Sequence, residues 1–234
     1  MELARDWRGE PEAPPRDEAL DDARGEERQP ARVRAAVARA ADVAGALALI
    51  VVGAPLILTG AAAVLASGGR PIFFGHVRVG RRGRLFRCWK LRTMHTDAEA
   101  RLHADPELHQ RYLRSGYKLP SAQDPRVTSV GRWLRRSYVD ELPQLWNVLR
   151  GDMSLIGPRP ELPEIVSAYR AWQHRRHAVR PGMTGWWQVN RDGSRPMHEA
   201  TELDLYYVDH RSWRLDAVIL VRTVKVVIRG TGAF

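Results

Sequence analysis

The chain of 234 residues contains a single cysteine, Cys88, which excludes an intramolecular disulfide and leaves no basis for a zinc site built on thiolates. That scarcity agrees with a reducing, cytoplasm-facing environment. Cys88 sits between Arg87 and Trp89 in a short stretch expected to be extended, and a structural role is expected for it rather than a nucleophilic one. Large aliphatic side chains are scarce in the first 34 residues, where ten acids and seven arginines accompany Pro11, Pro14, Pro15 and Pro30. With so little apolar surface to offset the entropy of ordering, residues 1–34 are expected to be a disordered polar tail. The same residues hold no apolar run, so no secretory signal peptide is expected at the extreme N-terminus. The histidines, including His174 and His177, lack an acidic or cysteine partner at ligand spacing, which favours surface roles.

Charge of either sign is missing from Val43 to Gly69, 27 consecutive residues bounded by Asp42 and Arg70. That is long enough to cross a hydrocarbon core of roughly 30 Å. Pro55 lies near the middle, after Gly53 and Ala54. A proline there removes a backbone hydrogen bond and crowds the preceding turn, so a kink or break into two half-length helices is expected. Arginines flank both ends, Arg32, Arg34 and Arg39 before and Arg70, Arg78, Arg81 and Arg82 after. Both ends therefore prefer the cytoplasm under the positive-inside rule. A re-entrant anchor dipping into one leaflet and a kinked single span both satisfy these constraints.

The remaining chain, with 44% hydrophobic residues overall, can bury one sizeable core. A formal net charge of +10, mostly from arginine, suits partners that carry phosphate: nucleic acid, nucleotides or anionic lipid. Pro71–Phe74 and Phe86–Leu91 read as short strands around a turn at Gly80–Gly83. Residues 97–116, 133–149 and 161–178 read as helical. Leu215–Ile228, with Arg222, Lys225 and Arg229 at helical spacing, reads as an amphipathic helix for a membrane surface, with a buried strand as the alternative.

The stretch from Ser137 to Leu149 holds the most chemistry. Ser137 followed by Asp140 resembles a capping box, and Pro143 suits a first helical turn, so a helix is expected to start near Asp140 and to end at Gly151. Adjacent carboxylates Asp140 and Glu141 would then stand at the positive end of a helix dipole, where a phosphate can also approach. An ionised Asp can attack phosphorus and a neighbouring Glu can help hold a divalent cation, although such a pair is more often simple capping. Arg135 and Arg136 lie just upstream, and Gly157-Pro158-Arg159-Pro160 downstream would hold an arginine at a fixed place for phosphate oxygens.

Six segments occur together in order: Lys90-Leu91-Arg92-Thr93-Met94, Asp140-Glu141-Leu142-Pro143-Gln144-Leu145, Asn147 to Ser154, Gly157-Pro158-Arg159-Pro160, Arg180-Pro181-Gly182-Met183-Thr184-Gly185 and Glu202-Leu203-Asp204-Leu205-Tyr206-Tyr207. In these the chain resembles the bacterial sugar transferases, also called monotopic phosphoglycosyl transferases, over about residues 40–230. The resemblance implies a two-step transfer in which Asp140 attacks the β-phosphate of a UDP-sugar, UMP leaves, and polyprenyl phosphate takes the phosphosugar. It implies that Glu141, with Asp140, belongs to a Mg²⁺ site, and that Lys90, Arg135, Arg159, Pro160 and Asp204 contact phosphate, nucleotide or metal. It also implies an α+β, mostly helical monotopic membrane protein, with a re-entrant helix over residues 35–70 broken near Pro55, a small β element and amphipathic interfacial helices. Residues 71–234 would be the catalytic domain on the cytoplasmic face of the bacterial inner membrane. Lipid would be a partner and nucleic acid would not, and a homodimer is left open.

Two departures from the family's pattern stand out. Tyr138-Val139 replaces a common Ser-Leu before the acidic pair, and Arg191-Asp192-Gly193 replaces a common Gly-Arg, which leaves the sugar open. Two other classes compete on composition: a membrane-tethered basic module for nucleic acid or anionic lipid, and a glycosyltransferase that moves the sugar alone.

Overall fold

The computed structural model describes residues 18–117, 119–191 and 195–229, with side chains from Val33 onward. The chain divides between Ala40 and Ala41. On the N-terminal side the described residues are the opening turns of α1 (Glu18–Gly68). Residues 1–17 of the expected tail lie outside the described residues, and residues 18–34 belong to α1. Alanine, glutamate and arginine are strong helix formers, and extending an existing helix carries no nucleation cost.

Helix α1 also runs without interruption through Pro55, so two separate half-length helices do not form. Proline's own φ is helical and only one backbone hydrogen bond is lost, while packing on both sides of it holds the helix together. Thr59 Oγ1 donates to Pro55 O at 2.7 Å one turn later. The segment Val33–Gly68 is long and apolar enough to cross a membrane, and only 17% of its most apolar window is buried. A core helix of a soluble protein would be mostly covered, and here Leu47, Val51, Val52, Leu56 and Leu58 are exposed. That apolar, uncovered surface makes the protein membrane-associated.

From Ala41 onward the chain forms one compact unit. The face of α1 turned to it carries small residues. A Cβ on Gly60 would stand 2.8 Å from Leu91 Cδ1, so the helix approaches as closely as it does because glycine is there. Both ends of the apolar stretch are tied to the same unit. Asp42 Oδ1 accepts from Ser154 Oγ at 2.8 Å and from the Leu155 amide at 2.9 Å. Arg92 Nη2 donates to the Gly68 and Gly69 carbonyls at 2.8 and 2.9 Å, satisfying acceptors that a helix C-terminus leaves open.

Strands β1 (Phe73–Val79) and β2 (Leu85–Leu91) pair as an antiparallel hairpin around a 3₁₀ turn, Arg81–Gly83, as the Gly80–Gly83 spacing predicts. The charged stretch that follows forms α2 (Ala98–Ala104) and α3 (Pro106–Arg114). Helices α4 (Ser129–Ser137) and α5 (Gln144–Arg150) enclose the acidic pair. β3 (Ser154–Ile156) pairs in parallel with β4 (Gly182–Thr184). Between them lie α6 (Pro163–Ser167) and a 3₁₀ helix, Ala171–Ala178; after them come α7 (Trp186–Asn190), α8 (Thr201–His210) and α9 (Trp213–Arg229). The C-terminal segment is thus a helix and not a strand. Ile219 is fully buried while Val218, Val221, Val224 and Ile228 are exposed.

Two apolar clusters position the site. Val64 of α1 packs with Leu91, Leu134 and Val139, and Ala46 of α1 packs with Cys88, Leu145, Val148 and Met153. The acidic pair is strung between them, so α1 is part of the same core as the chemistry.

Candidate active site

The expected capping box does not form. Ser137 Oγ donates back to the Trp133 and Leu134 carbonyls, at 3.0 and 3.1 Å, and α4 ends at Tyr138 in the left-handed region, φ 59°. Asp140 and Glu141 therefore sit in a one-turn 3₁₀ segment, Val139–Glu141, with α5 starting three residues later behind Pro143. Local hydrogen bonding of a serine to the preceding turn competed successfully with capping the next one. The predicted stop at Gly151 is present, with φ 88°.

Glu141 is the electrostatic hub. Its Oε1 accepts from Lys90 Nζ and from Arg159 Nη2, each at 2.7 Å, while Oε2 meets Arg159 Nη1 at 3.4 Å. Burial opposes its charge, but Arg159 and Lys90 overrule burial and hold its pKa well below the ordinary carboxylate range. The same pairing raises the pKa of Arg159. Lys90 comes from β2 and Arg159 from the turn after β3, so the ion pair joins three parts of the chain.

Asp140 is different. It is only 5% exposed, and among the described residues its carboxylate makes no hydrogen bond or ion pair. Burial pushes its pKa up to about 6, against the pull of Lys90 and with the push of the Glu141 charge. Arg135 lies on its other side and feels its charge, with Nε donating to Thr93 Oγ1 at 2.9 Å. The structure thus gathers Lys90, Arg135 and Arg159 around the pair.

Two predicted residues serve the site from behind. Pro160 closes the Arg159 turn, and its carbonyl accepts from Arg78 Nη1 at 3.5 Å. Asp204 does not reach the acidic pair: it is 1% exposed, and its Oδ2 accepts from Arg176 Nη2 at 2.5 Å. Arg176 in turn donates to the Arg159 carbonyl and to Tyr169 Oη, each at 2.7 Å. Asp204 therefore anchors the arginine that fixes the Arg159 turn. Behind the same turn, a Cβ on Gly182 would lie 2.0 Å from the Gly157 amide nitrogen, so the Arg-Pro-Gly segment and the Gly-Pro-Arg-Pro segment are in backbone contact.

Sequence reasoning missed Arg176 and Asn147. Asn147 is fully buried, with Oδ1 accepting from the Trp89 amide at 3.0 Å and Nδ2 donating to the Arg87 carbonyl at 2.7 Å. It staples α5 to the middle of β2 and so sets Lys90 against Glu141. Its place in the Asn147 to Ser154 segment was the available signal; Arg176 lay unmarked in a basic run. Cys88 is buried in the core with its thiol pKa raised by burial, which makes it structural. His174 is exposed, whereas His177 is half-buried with its pKa lowered to about 4 by burial. Of the segment Arg191-Asp192-Gly193, the last two residues lie outside the described residues.

Among the described residues no cluster of three or more His, Cys, Asp and Glu side chains is disposed to hold a metal ion. The donors available are Asp140 and Glu141. One or two carboxylates suffice for Mg²⁺ when substrate phosphates and water complete the shell, and Glu141 Oε2 and the Asp140 carboxylate are the oxygens not closely paired. The donor set fits that mode of binding and no all-protein cage.

Beside the pair, a cavity of about 360 Å³ is lined by apolar groups, among them Ile50 and Ile57 of α1, Phe73, Trp89, Leu142 and Trp146. Leu142 directly follows Glu141, so an apolar groove and the charged cluster share a border.

The described residues thus place a buried carboxylate without a partner beside a carboxylate clamped by two cations, at the border of an apolar groove walled by α1. Residues 33–230 match the Bacterial sugar transferase family, and the chain belongs to it. It is 42% identical over 166 residues to the galactosyl transferase CpsE of Streptococcus agalactiae serotype III, covering 70% of this chain and 36% of that one. To the undecaprenyl-phosphate galactose phosphotransferase of Salmonella typhimurium it is 37% identical over 201 residues, covering 84% of this chain and 41% of that one. To EpsL, an uncharacterized sugar transferase of Bacillus subtilis, it is 39% identical over 191 residues, covering 82% and 87%. The chain thus spans well under half the length of the first two of these relatives and most of the third.

Proposed function

We propose that the protein transfers a sugar 1-phosphate from a UDP-sugar to polyprenyl phosphate, through a covalent intermediate on Asp140. The observation that carries the reading is the contrast within the pair: Glu141 is held ionised by Lys90 and Arg159, while Asp140 is buried without a partner. An unpaired carboxylate among cations is poised to form a bond to phosphorus. An Asp140 oxygen attacks the β-phosphorus, the bond from that phosphorus to the bridging oxygen breaks, and UMP leaves. A phosphate oxygen of the lipid then attacks the same phosphorus, Asp140 departs as carboxylate, and a lipid diphosphate sugar is formed. Lys90, Arg135 and Arg159 offset the phosphate charges throughout. Mg²⁺ bound at Asp140 and Glu141 would add charge neutralisation at the diphosphate.

The name of the Salmonella relative supports undecaprenyl phosphate as the acceptor. The apolar groove beside Leu142 suits an isoprenoid chain, and α1 supplies one of its walls. Location on the inner membrane with the catalytic unit facing the cytoplasm is part of this reading, supported by the arginine flanks and by the ties at Asp42 and Arg92. These bind both ends of the apolar stretch to one folded unit. The exposed apolar face of α9 suits the same surface.

The test is nucleotide release. Purified protein with polyprenyl phosphate, Mg²⁺ and a panel of UDP-sugars should release UMP and form a lipid diphosphate sugar with at least one donor. Release of UDP in place of UMP would refute phosphosugar transfer and point to a sugar-only transferase.

A further inference from the structure

The register of the hairpin places a third arginine beside the site. His76 pairs with Cys88, Phe74 with Lys90 and Arg78 with Phe86, and opposed residues share a face, so Arg78 and Lys90 project from the same side of the sheet. That is the side on which Lys90 reaches Glu141. Arg78 is half-buried and touches the Arg159 turn, with Nη1 at 3.5 Å from the Pro160 carbonyl, while the next residue, Val79, donates its amide to the Glu161 carbonyl at 3.0 Å.

No carboxylate pairs with Arg78 among the described residues. Its two side-chain contacts are that carbonyl and His76 Nδ1, at 3.4 Å from Nη2. His76 is held neutral, its pKa lowered to about 4 by burial and by the charge of Arg78 itself. Burial and the charge of Arg159 both depress the pKa of Arg78, and the acids that feel it, Glu161 and Glu141, do not reach it. A guanidinium withdrawn from water without a counter-ion is costly, and two neighbouring arginines repel. Glu141 neutralises only one of the cations Lys90, Arg78 and Arg159. Glu161, itself buried, acts on Arg78 only through space and makes no ion pair with it among the described residues, so the guanidinium keeps N–H groups for a phosphate ester.

Resting on the reading above that the donor is a nucleotide diphosphate sugar, we propose that Arg78 binds the donor's diphosphate together with Arg159. Its role is substrate binding, with the planar fork set by the Pro160 carbonyl and the His76 ring so that its outward N–H groups face the phosphate.

The affinities of the full-length protein for UDP and for inorganic pyrophosphate, measured without turnover, test this. Arg78→Gln is expected to weaken both about ten-fold or more, as loss of a charge-assisted contact implies. The KM for UDP-sugar should rise in parallel and the KM for polyprenyl phosphate should not. Arg78→Lys keeps the charge and loses the fork, and should weaken UDP about three-fold; it is the variant to read if Arg78→Gln does not fold. Unchanged UDP affinity in a folded variant, or a loss confined to the polyprenyl phosphate KM, would overturn the assignment. Because binding is read without turnover, failure of the wild-type protein to release UMP would count against the proposed reaction and leave the Arg78 measurement standing.

Discussion

Two buried aspartates divide the labour of this molecule. Asp204 meets Arg176 at 2.5 Å in a pair closed off from water, whereas Asp140, almost as deeply buried, meets no donor among the described residues. The first arrangement stabilises a turn; the second withholds stabilisation from the group proposed to be the nucleophile. Burial alone does not separate a structural acid from a chemical one, and the partner does. Glu141 lies between these extremes, because its ion pairs with Lys90 and Arg159 leave one oxygen loosely held.

Replacing each acid should sharpen that contrast. Asp140→Asn should lower transfer by about a thousand-fold or more, as removal of a covalent nucleophile does. It should leave the melting temperature unchanged or raised. The pKa of Asp140 is about 6 in the folded protein against an ordinary 3.8, so its ionisation disfavours folding as pH rises through that window. A fall in melting temperature at neutral pH would make Asp140 a structural acid like Asp204. Asp204→Ala should do the reverse, costing about 3 kcal/mol or more by leaving Arg176 buried and unpaired. Chemical denaturation reads this, and an unchanged midpoint would remove Arg176 as the support of the Arg159 turn.

Glu141→Gln should cost less, about 2 kcal/mol, because Lys90 and Arg159 keep partial access to water. The smallest effect is on pH dependence. If Asp140 must be ionised, kcat/KM for the donor should fall on the acid side with a midpoint near 6 and drop about ten-fold per pH unit below it. A rate flat down to pH 5 would place the essential carboxylate elsewhere.

The sequence made some of this legible and hid the rest for identifiable reasons. The hairpin, the Gly151 stop and the C-terminal helix were readable because turn glycines and helical spacing are local signals. Asp140, Glu141, Lys90 and Arg159 were picked out by ordered motifs and Arg135 by its place just upstream of the acidic pair, and the fold brings them together. The partner of Asp204 was not readable, since Arg176 lies 28 positions away in a basic run and only tertiary packing selects it. Pro55 misled in the other direction: packing of Ala46, Gly60 and Val64 against the core overrode the local penalty and kept α1 in one piece. Ser137 misled as well, because its hydroxyl turned back to α4.

The most direct test of the central claim is a single-turnover experiment with UDP-sugar and no polyprenyl phosphate. The account predicts release of close to one UMP per enzyme and a phosphosugar adduct on the peptide bearing Asp140, discharged when polyprenyl phosphate is added. UMP that appears only when acceptor is present, with no adduct at Asp140, would contradict it.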